Sequence, residues 1–348
     1  MAAAGAAVRF QRMTSATPLS AIDGSQSPPA WRKVLADAGG ALLGAILLIA
    51  AYAKAIDPAA FAEQIEAEGL ALVLPATTWA IVGVAVEVGL GLALLLGLRS
   101  RAVLVAASLL VLLFVLLTGR TYWQALHGVT PAAANCGCFG NLVDRSPGEA
   151  FWQDLVLLVP SLLLAWTARP DRRRGVGWRA GLATAAAAGA AAFAWAAPGL
   201  PLDDRATRLA PGVRIEELCA GRDSERICLA HLAPELARGQ RWVVMADPAD
   251  AAFDPLVQAL NAYALSGAQP PVALLADLKP EERLALFWRF APAFDLHEVP
   301  NALLRPLYRT LPRSFLLDGG RVVRTAPGIA RELGALPGEP TTPTRERP

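Results

Sequence analysis

Two pairs of cysteines are the residues in this chain whose spacing most directly suggests chemistry. The first pair, Cys136 and Cys138, is separated only by Gly137. A disulfide between them needs a sharply bent backbone, which glycine permits because it tolerates a positive φ. So small a ring favours a strained, labile disulfide, and the pair is therefore predicted to carry out thiol–disulfide exchange. Two alternatives stay open, namely a soft metal ion held by the pair and a passive staple of the loop.

The second pair, Cys219 and Cys228, lies in the carboxyl-terminal part of the sequence. Segments 213–218 and 225–229 predict a hairpin in which these two cysteines face each other across the strands. The main expectation is a structural disulfide that locks the hairpin. The alternatives are a relay that exchanges electrons with the first pair, and two free thiols.

Glu87 is a carboxylate in an otherwise apolar run. A charged side chain inside a membrane is costly unless it faces the interior of a helix bundle and has a partner, so Glu87 is a candidate functional residue. Lys54, Tyr52 and Arg120 are the candidate partners, because they lie near the outer ends of neighbouring runs. A hydrogen bond between helices and a proton relay are equally supported roles for Glu87 and Lys54.

The elements that must position these residues are five apolar runs. The chain is 54% hydrophobic and only 18% charged. Each run has 16 to 23 residues, close to the roughly 20 that a transmembrane helix needs. The runs are 37–53, 76–98, 102–118, 151–166 and 180–197. The sequence therefore predicts an all-α membrane region whose first partner is the lipid bilayer.

Basic residues are distributed so that they predict the orientation of these runs. Residues 1–33 form a basic amino-terminal tail, 99–101 a basic link, and 169–198 a basic loop followed by the fifth helix. Positively charged segments stay on the cytoplasmic side. The protein is therefore expected in the cytoplasmic (inner) membrane, with its amino terminus in the cytoplasm. All four cysteines are then expected outside, where disulfides persist. So is the acidic first loop, which holds Asp57, Glu63, Glu66 and Glu68.

The composition also excludes two classes of protein. There are 32 Lys and Arg against 30 Asp and Glu, a formal net charge of +2, which gives no case for nucleic-acid binding. The three histidines, His127, His231 and His297, are too scattered to predict a metal site.

The first four apolar runs resemble the MauE/DoxX family of redox-associated membrane proteins. The resemblance covers residues 34–168. Its motifs are AKAIDP at 53–58, Phe61, Ile65, Glu87 and CGCFG at 136–140. It implies a four-helix membrane bundle that supports disulfide formation in exported proteins, as in methylamine utilisation and the maturation of methylamine dehydrogenase. The fold class expected is thus this bundle plus a fifth transmembrane helix.

Residues 199–336 predict a separate extracytoplasmic α/β domain, and 337–348 a disordered tail. Strands are expected at 241–246, 271–276, 314–317 and 321–325, and helices at 254–264 and 280–290. This order resembles the thioredoxin-like fold, which implies that Pro312 is the cis proline beside the active site. The segment 247–253 follows the first of those strands and lacks the Cys-x-x-Cys of thioredoxins, so ordinary thioredoxin catalysis is not expected.

These features together favour an integral membrane thiol–disulfide oxidoreductase. Cys136 and Cys138 would accept electrons from exported client proteins with cysteines, and a membrane quinone is the plausible electron acceptor. The alternative is a non-catalytic assembly factor or chaperone whose thioredoxin-like domain binds clients. A transporter ranks last, because only Glu87 is clearly polar within the runs. The sequence does not indicate the client or the oligomeric state.

Overall fold

The computed structural model describes residues 29–71, 73–128, 145–168, 176–221 and 226–333. The predictions for the ends of the chain, for the basic loop after residue 168 and for the Cys136–Cys138 pair lie outside these residues. Six helices form the first part, here called the helical region: α1 (Ala30–Ile56), α2 (Pro58–Ala67), α3 (Ala76–Leu95), α4 (Arg101–Leu126), α5 (Pro147–Trp166) and α6 (Val176–Ala196).

Five of these helices, all except α2, are long and apolar enough to cross a membrane. This confirms the prediction of an all-α membrane region, including the alanine-rich fifth span. The helices extend beyond the apolar runs that predicted them, most clearly in α4, where the helix continues to Leu126 rather than ending at Thr118. Backbone hydrogen bonding continues through Arg120 and Trp123, although the apolar run stops before them.

Glycines allow α1 to pack closely against its neighbours. A Cβ atom at Gly44 would lie 2.5 Å from the Gly91 carbonyl oxygen of α3, and one at Gly39 would lie 2.7 Å from the Ser161 carbonyl oxygen of α5. Small residues at such crossings let helix backbones approach in a membrane, where dispersion contacts stabilise helix association. By contrast, α3 packs closely against α1 and α6 but only sparsely against α4.

Helix α2 corrects the sequence prediction, which expected an acidic loop after the first span. Asp57 begins the helix, and its Oδ1 accepts a hydrogen bond from the Ala60 amide at 3.1 Å. Pro58 follows at the first helical position, where its missing N–H costs nothing. Ala62 and Ile65 are buried against the start of α3. The acidic residues stand on the opposite face, which is why composition alone suggested a loop.

In the second part, here called the C-terminal α/β region, the described residues form seven strands and five α-helices. The strands are β1 (Cys219–Ala220), β2 (Ile227–Cys228), β3 (Gln240–Met245), β4 (Val272–Ala276), β5 (Asp295–Glu298), β6 (Arg313–Asp318) and β7 (Arg321–Pro327). The helices are α7 (Asp203–Ala206), α8 (Leu229–Leu232), α9 (Phe253–Leu265), α10 (Pro280–Phe290) and α11 (Asn301–Leu304).

Five strands form one mixed sheet in the order β5-β4-β3-β6-β7. Strand β3 runs parallel to β4, and β4 runs parallel to β5. Strand β6 is antiparallel to both β3 and β7. Side chains alternate along β3, so that Val243 packs into one apolar core and Trp242 into the other. The sheet is therefore buried on both faces, which confirms a mixed α/β region.

Two details of this region differ from the sequence prediction. Strand β5 was not predicted, because DLHE at 295–298 is polar and occupies an edge of the sheet. The predicted hairpin strands, 213–218 and 225–229, are wrong in extent, since β1 and β2 have only two residues each. Their register nevertheless pairs Cys219 directly with Cys228.

Two arginines join the C-terminal α/β region to the helical region. Arg305 Nε lies 2.6 Å from Glu63 Oε2 of α2. Arg309 donates hydrogen bonds to the carbonyl oxygens of Ala197 and Leu200, just beyond α6, at 2.7 and 3.0 Å. The segment around Arg305 and Arg309 therefore contacts both α2 and the residues that follow α6.

His297 of β5 predicts a pH dependence of stability. Burial lowers the pKa of His297, Arg241 lowers it further, and the carboxylates of Glu235 and Asp295 oppose the shift. As pH falls, His297 is therefore protonated in the unfolded chain before it is protonated in the folded protein. The stability that neutral His297 contributes is complete above about pH 6.5 and is lost as pH falls through the lowered folded-state pKa. We expect the Tm of purified wild type to fall between pH 7.5 and 5. In His297→Gln this fall in Tm should be smaller by a few degrees.

The matched control is His231→Gln, because His231 is exposed and is expected to leave the pH profile unchanged. Identical profiles for His297→Gln and wild type would refute the assignment.

Candidate functional site

A buried ion pair joins Lys54 of α1 to Glu87 of α3. Both side chains are about 2% exposed, and the Lys54 ammonium donates a hydrogen bond to Glu87 Oε1. Of the three candidate partners, the structure brings only Lys54 to Glu87. Tyr52 is 59% exposed, and Arg120 instead donates to Glu68 at 3.1 Å.

Aromatic rings surround the Lys54 ammonium. Nζ lies 4.7 Å from the ring centroids of both Phe61 and Phe114, within the range of a cation–π interaction. Lys54 lies near the end of α1, while Glu87 lies eleven residues into α3, about 16 Å along that helix by its rise per residue. The pair therefore lies deep among the spanning helices, where an ion pair is costly and usually functional.

Lys54 and Glu87 line a cavity between α2, α3 and α4, here called the α3–α4 cavity. Its volume is about 360 Å³. Apart from the ion pair and the polar residues Gln64 and Glu68, its walls are apolar and aromatic. The sparse packing of α3 against α4 creates this space. Pockets for small ligands have volumes of roughly 300–1,000 Å³, so one small ring system could be held here.

Sequence reasoning missed a second buried carboxylate, Asp154 of α5. It is 6% exposed, hydrogen-bonds the Thr118 side chain and interacts electrostatically with Arg145 and Lys54. A carboxylate within the fourth apolar run was the available signal. Asp154 thus lies near both the ion pair and Arg145, the first described residue after 129–144.

The cysteine doublet itself, Cys136 and Cys138, lies within 129–144 and so outside the described residues. The flanks of this segment are described. Glu68, at the end of α2, bonds Arg120 near the end of α4, and Tyr122 of α4 stacks on Phe151 of α5 at 5.6 Å. The segment is therefore attached at the same end of the helical region as the C-terminal α/β region.

Cys219 and Cys228 form a disulfide in the C-terminal α/β region. Both residues are buried, at 7% and 6% exposure. Cys219 lies at the edge of one apolar core, beside Leu218 and Ala220. Burial on short facing strands favours the structural role over the relay, which stays a prediction.

We expect removal of this disulfide to lower the stability of the C-terminal α/β region and to leave the activity unchanged. The bridge spans nine residues, so chain-entropy arguments give about 2–3 kcal/mol of stabilisation. We expect Cys219→Ser/Cys228→Ser to lower the protection of β3 amides against hydrogen exchange accordingly. Reductant should lower the protection in wild type but have no further effect on the variant. Unchanged protection together with slower client oxidation would instead support the relay.

A small polar cleft lies where β3 and β4 end. It has a volume of about 160 Å³ and is lined by Asp247, Asp277, Asn301 and Tyr308 among others. The Tyr308 hydroxyl lies 3.3 Å from Asn301 Oδ1. Burial raises the pKa of Tyr308, while the nearby Arg305 guanidinium lowers it, so the hydroxyl stays protonated and can donate. A second, smaller pocket beside the cleft is lined by Pro312, whose peptide bond with Leu311 is cis.

The fold and this site define a multi-pass helical membrane protein that carries a mixed α/β region. Residues 32–167 match the family model described as Methylamine utilisation protein MauE. The match confirms the resemblance to MauE that the sequence motifs indicate, over almost the residues predicted. No curated protein and no solved structure matches the chain significantly. The relationships to DoxX and to thioredoxin-like proteins stay predictions.

Proposed function

We propose that this protein is an integral membrane thiol–disulfide oxidoreductase that supports the maturation of exported proteins. Cys136 and Cys138 form the reactive pair. A client thiolate attacks their disulfide, a mixed disulfide forms, and the second client thiol resolves it, leaving the client oxidised and the pair reduced. The observation that carries the proposal is the CGCFG segment, at 136–140, inside the part of the chain that matches MauE.

The described contacts support this role in two ways. Arg145, which follows the cysteine segment, is buried and interacts with Asp154, which in turn interacts with Lys54. Buried charged groups therefore lie near the flank of the cysteine pair as well as at Glu87, which agrees with a proton-relay role for Glu87 and Lys54. A lipid-soluble quinone is the electron acceptor proposed, since reoxidation of a dithiol releases two electrons and two protons.

The location proposed is the cytoplasmic (inner) membrane, with the amino terminus inside and the C-terminal α/β region outside. Clustering of basic residues in 1–33, 99–101 and 169–175 supports this orientation. The Cys219–Cys228 disulfide agrees with an oxidising compartment. The contact of Arg305 with Glu63 requires the first loop and the C-terminal α/β region to share one side.

We also propose that the C-terminal α/β region is thioredoxin-like and binds clients without thiol chemistry. Its strand order and the cis bond before Pro312 support the likeness. Asp247 and the residues after it replace the usual cysteines, and the cleft offers hydrogen-bonding groups instead. A polypeptide backbone, which carries many donors and acceptors, is the ligand such a cleft fits. The methylamine link rests on the description of the family model alone.

A second candidate function is a non-catalytic assembly factor, favoured by the absence of cysteine from the segment that follows β3. In that case the helical region is an anchor, and the cysteine doublet is dispensable for client maturation.

Thiol labelling in intact cells tests the main proposal. The variant Cys219→Ser/Cys228→Ser retains only the doublet, so every label reports on Cys136 and Cys138. We expect a membrane-impermeant maleimide to label intact cells only after reductant is added. Labelling without reductant would show that the pair is not kept oxidised. Labelling only after permeabilisation would put the pair inside the cell, and the oxidant role would have to be abandoned.

A further inference from the structure

The α3–α4 cavity opens on the surface of the helical region that faces lipid. Trp79, Val82 and Val86 of α3 and Leu113 of α4 line it, yet each is 38–43% exposed. All four belong to helices long and apolar enough to span a membrane. A molecule dissolved in the bilayer can therefore reach the cavity sideways, between α3 and α4.

The end of the cavity nearest the aqueous side is occupied by polar contacts. Glu68 lines the cavity there and accepts hydrogen bonds from Arg120 at 3.1 Å and from the Thr121 hydroxyl at 3.2 Å. Leu70 lines the same end. The apolar opening toward lipid and this polar closure together favour an apolar ligand from the membrane over a solute from water.

The inner end of the cavity presents an unused hydrogen-bond acceptor. Glu87 Oε1 binds Lys54, but Oε2 is buried and has no hydrogen-bond partner among the residues that the structure describes. A buried polar atom left unpaired is costly, because it has lost its hydrogen bonds to water and gained none in the protein. The ammonium of Lys54 has three N–H donors, and one of them goes to Glu87. Because the two charges cancel, the site suits an uncharged ligand with both donors and acceptors.

We propose that the α3–α4 cavity binds the head group of a membrane quinone, an inference that rests on the proposed function and assigns its electron acceptor a site. Lys54 donates to a carbonyl oxygen of the quinone, and the hydroxyl of the quinol donates to Glu87 Oε2. Phe61 and Phe114 flank the ring, and the isoprenoid tail leaves between Val82 and Leu113 into lipid.

The chemistry balances between the pair and this site. The Cys136–Cys138 dithiol loses two electrons and two protons as its S–S bond forms. The quinone gains the same two electrons and two protons and becomes the quinol.

Photolabelling in lipid nanodiscs tests the assignment. The full chain in phosphatidylcholine nanodiscs is irradiated with an azido-ubiquinone, with and without excess decylubiquinone, and labelled peptides are located by mass spectrometry. We expect competed labelling within α3 and α4. The variant Val82→Phe narrows the opening and should lower labelling at least tenfold. Its matched control is Val105→Phe, because Val105 is equally exposed on α4 but lies outside the cavity.

A second variant, Lys54→Leu/Glu87→Leu, removes the polar end of the cavity without leaving an unpaired charge. We expect labelling to fall at least tenfold while thermal stability is kept. Undiminished labelling in both variants, or competition by oleate or phosphatidylglycerol as strong as by decylubiquinone, would overturn the quinone assignment and indicate a lipid occupant. If quinone labelling fails but the doublet is still labelled from outside the cell only after reductant, the proposed function stands and only the quinone site is wrong. An inward-facing doublet would remove that function whatever binds the cavity.

Discussion

Replacement of either cysteine of the doublet, Cys136→Ser or Cys138→Ser, is expected to reduce client oxidation to the uncatalysed background. The reason is that one thiol cannot close the internal disulfide that accepts electrons. The measurement is the rate at which reduced, denatured ribonuclease A regains disulfides in the presence of the purified protein and decylubiquinone. The single thiol left in either variant can form a mixed disulfide only by attacking an S–S bond of an already oxidised client, which releases one client thiol, so neither variant can oxidise reduced ribonuclease A.

The matched control uses the other cysteine pair of the same chain. Cys219→Ser/Cys228→Ser makes the same chemical change in the C-terminal α/β region and is expected to preserve the rate. If Cys219→Ser/Cys228→Ser lost as much of the oxidation rate as the doublet variants do, a relay of electrons through both cysteine pairs would be indicated. Full activity of the Cys136→Ser variant would instead favour the assembly-factor function.

Loss of one partner of the buried ion pair is expected to destabilise the helical region strongly. Glu87→Leu leaves the Lys54 ammonium buried without the carboxylate that it hydrogen-bonds, and Lys54→Leu leaves the Glu87 carboxylate buried without its ammonium partner. Breaking a buried pair in this way costs about 3–5 kcal/mol, whereas replacement of both partners by apolar residues is often neutral. The double variant should therefore recover most of the stability. Unfolding in a denaturing detergent, monitored for all four proteins, yields the coupling energy.

Glu66→Leu serves as the surface control, because Glu66 is exposed on α2 and is expected to change stability by less than about 0.5 kcal/mol. If the single variants at Lys54 and Glu87 were as stable as wild type, the two residues would not be a charged pair in the membrane.

The sequence predicted the spans because they depend on a simple pattern. Long apolar runs must become helices in lipid, since every backbone group needs an internal partner. The five helices of sufficient length and apolarity agree with that prediction. For Glu87 the sequence named three candidate partners, and the structure pairs it with Lys54, the cation at the end of the preceding run.

Other features depend on packing that no pattern records. Helix α2 was missed because its buried face has only small or branched apolar residues, such as Ala62 and Ile65, among many acidic ones. Asp154 was missed because its depth depends on how α5 packs against α1. The α3–α4 cavity results from helices that do not pack closely, a property of two surfaces together. None of these can be deduced from one segment of sequence.

The two arginine contacts of the C-terminal α/β region determine how a client would meet the cysteine doublet. A single contact would allow the sheet to swivel about the linker after α6, but Arg305 and Arg309 attach it at two separate points. A polypeptide captured there is thus confined near the membrane surface rather than free to diffuse. Its encounter with the thiols becomes intramolecular, with an effective concentration that is typically millimolar for short tethers. Once a client is bound, the rate of its thiol–disulfide exchange would then no longer depend on its concentration in the compartment.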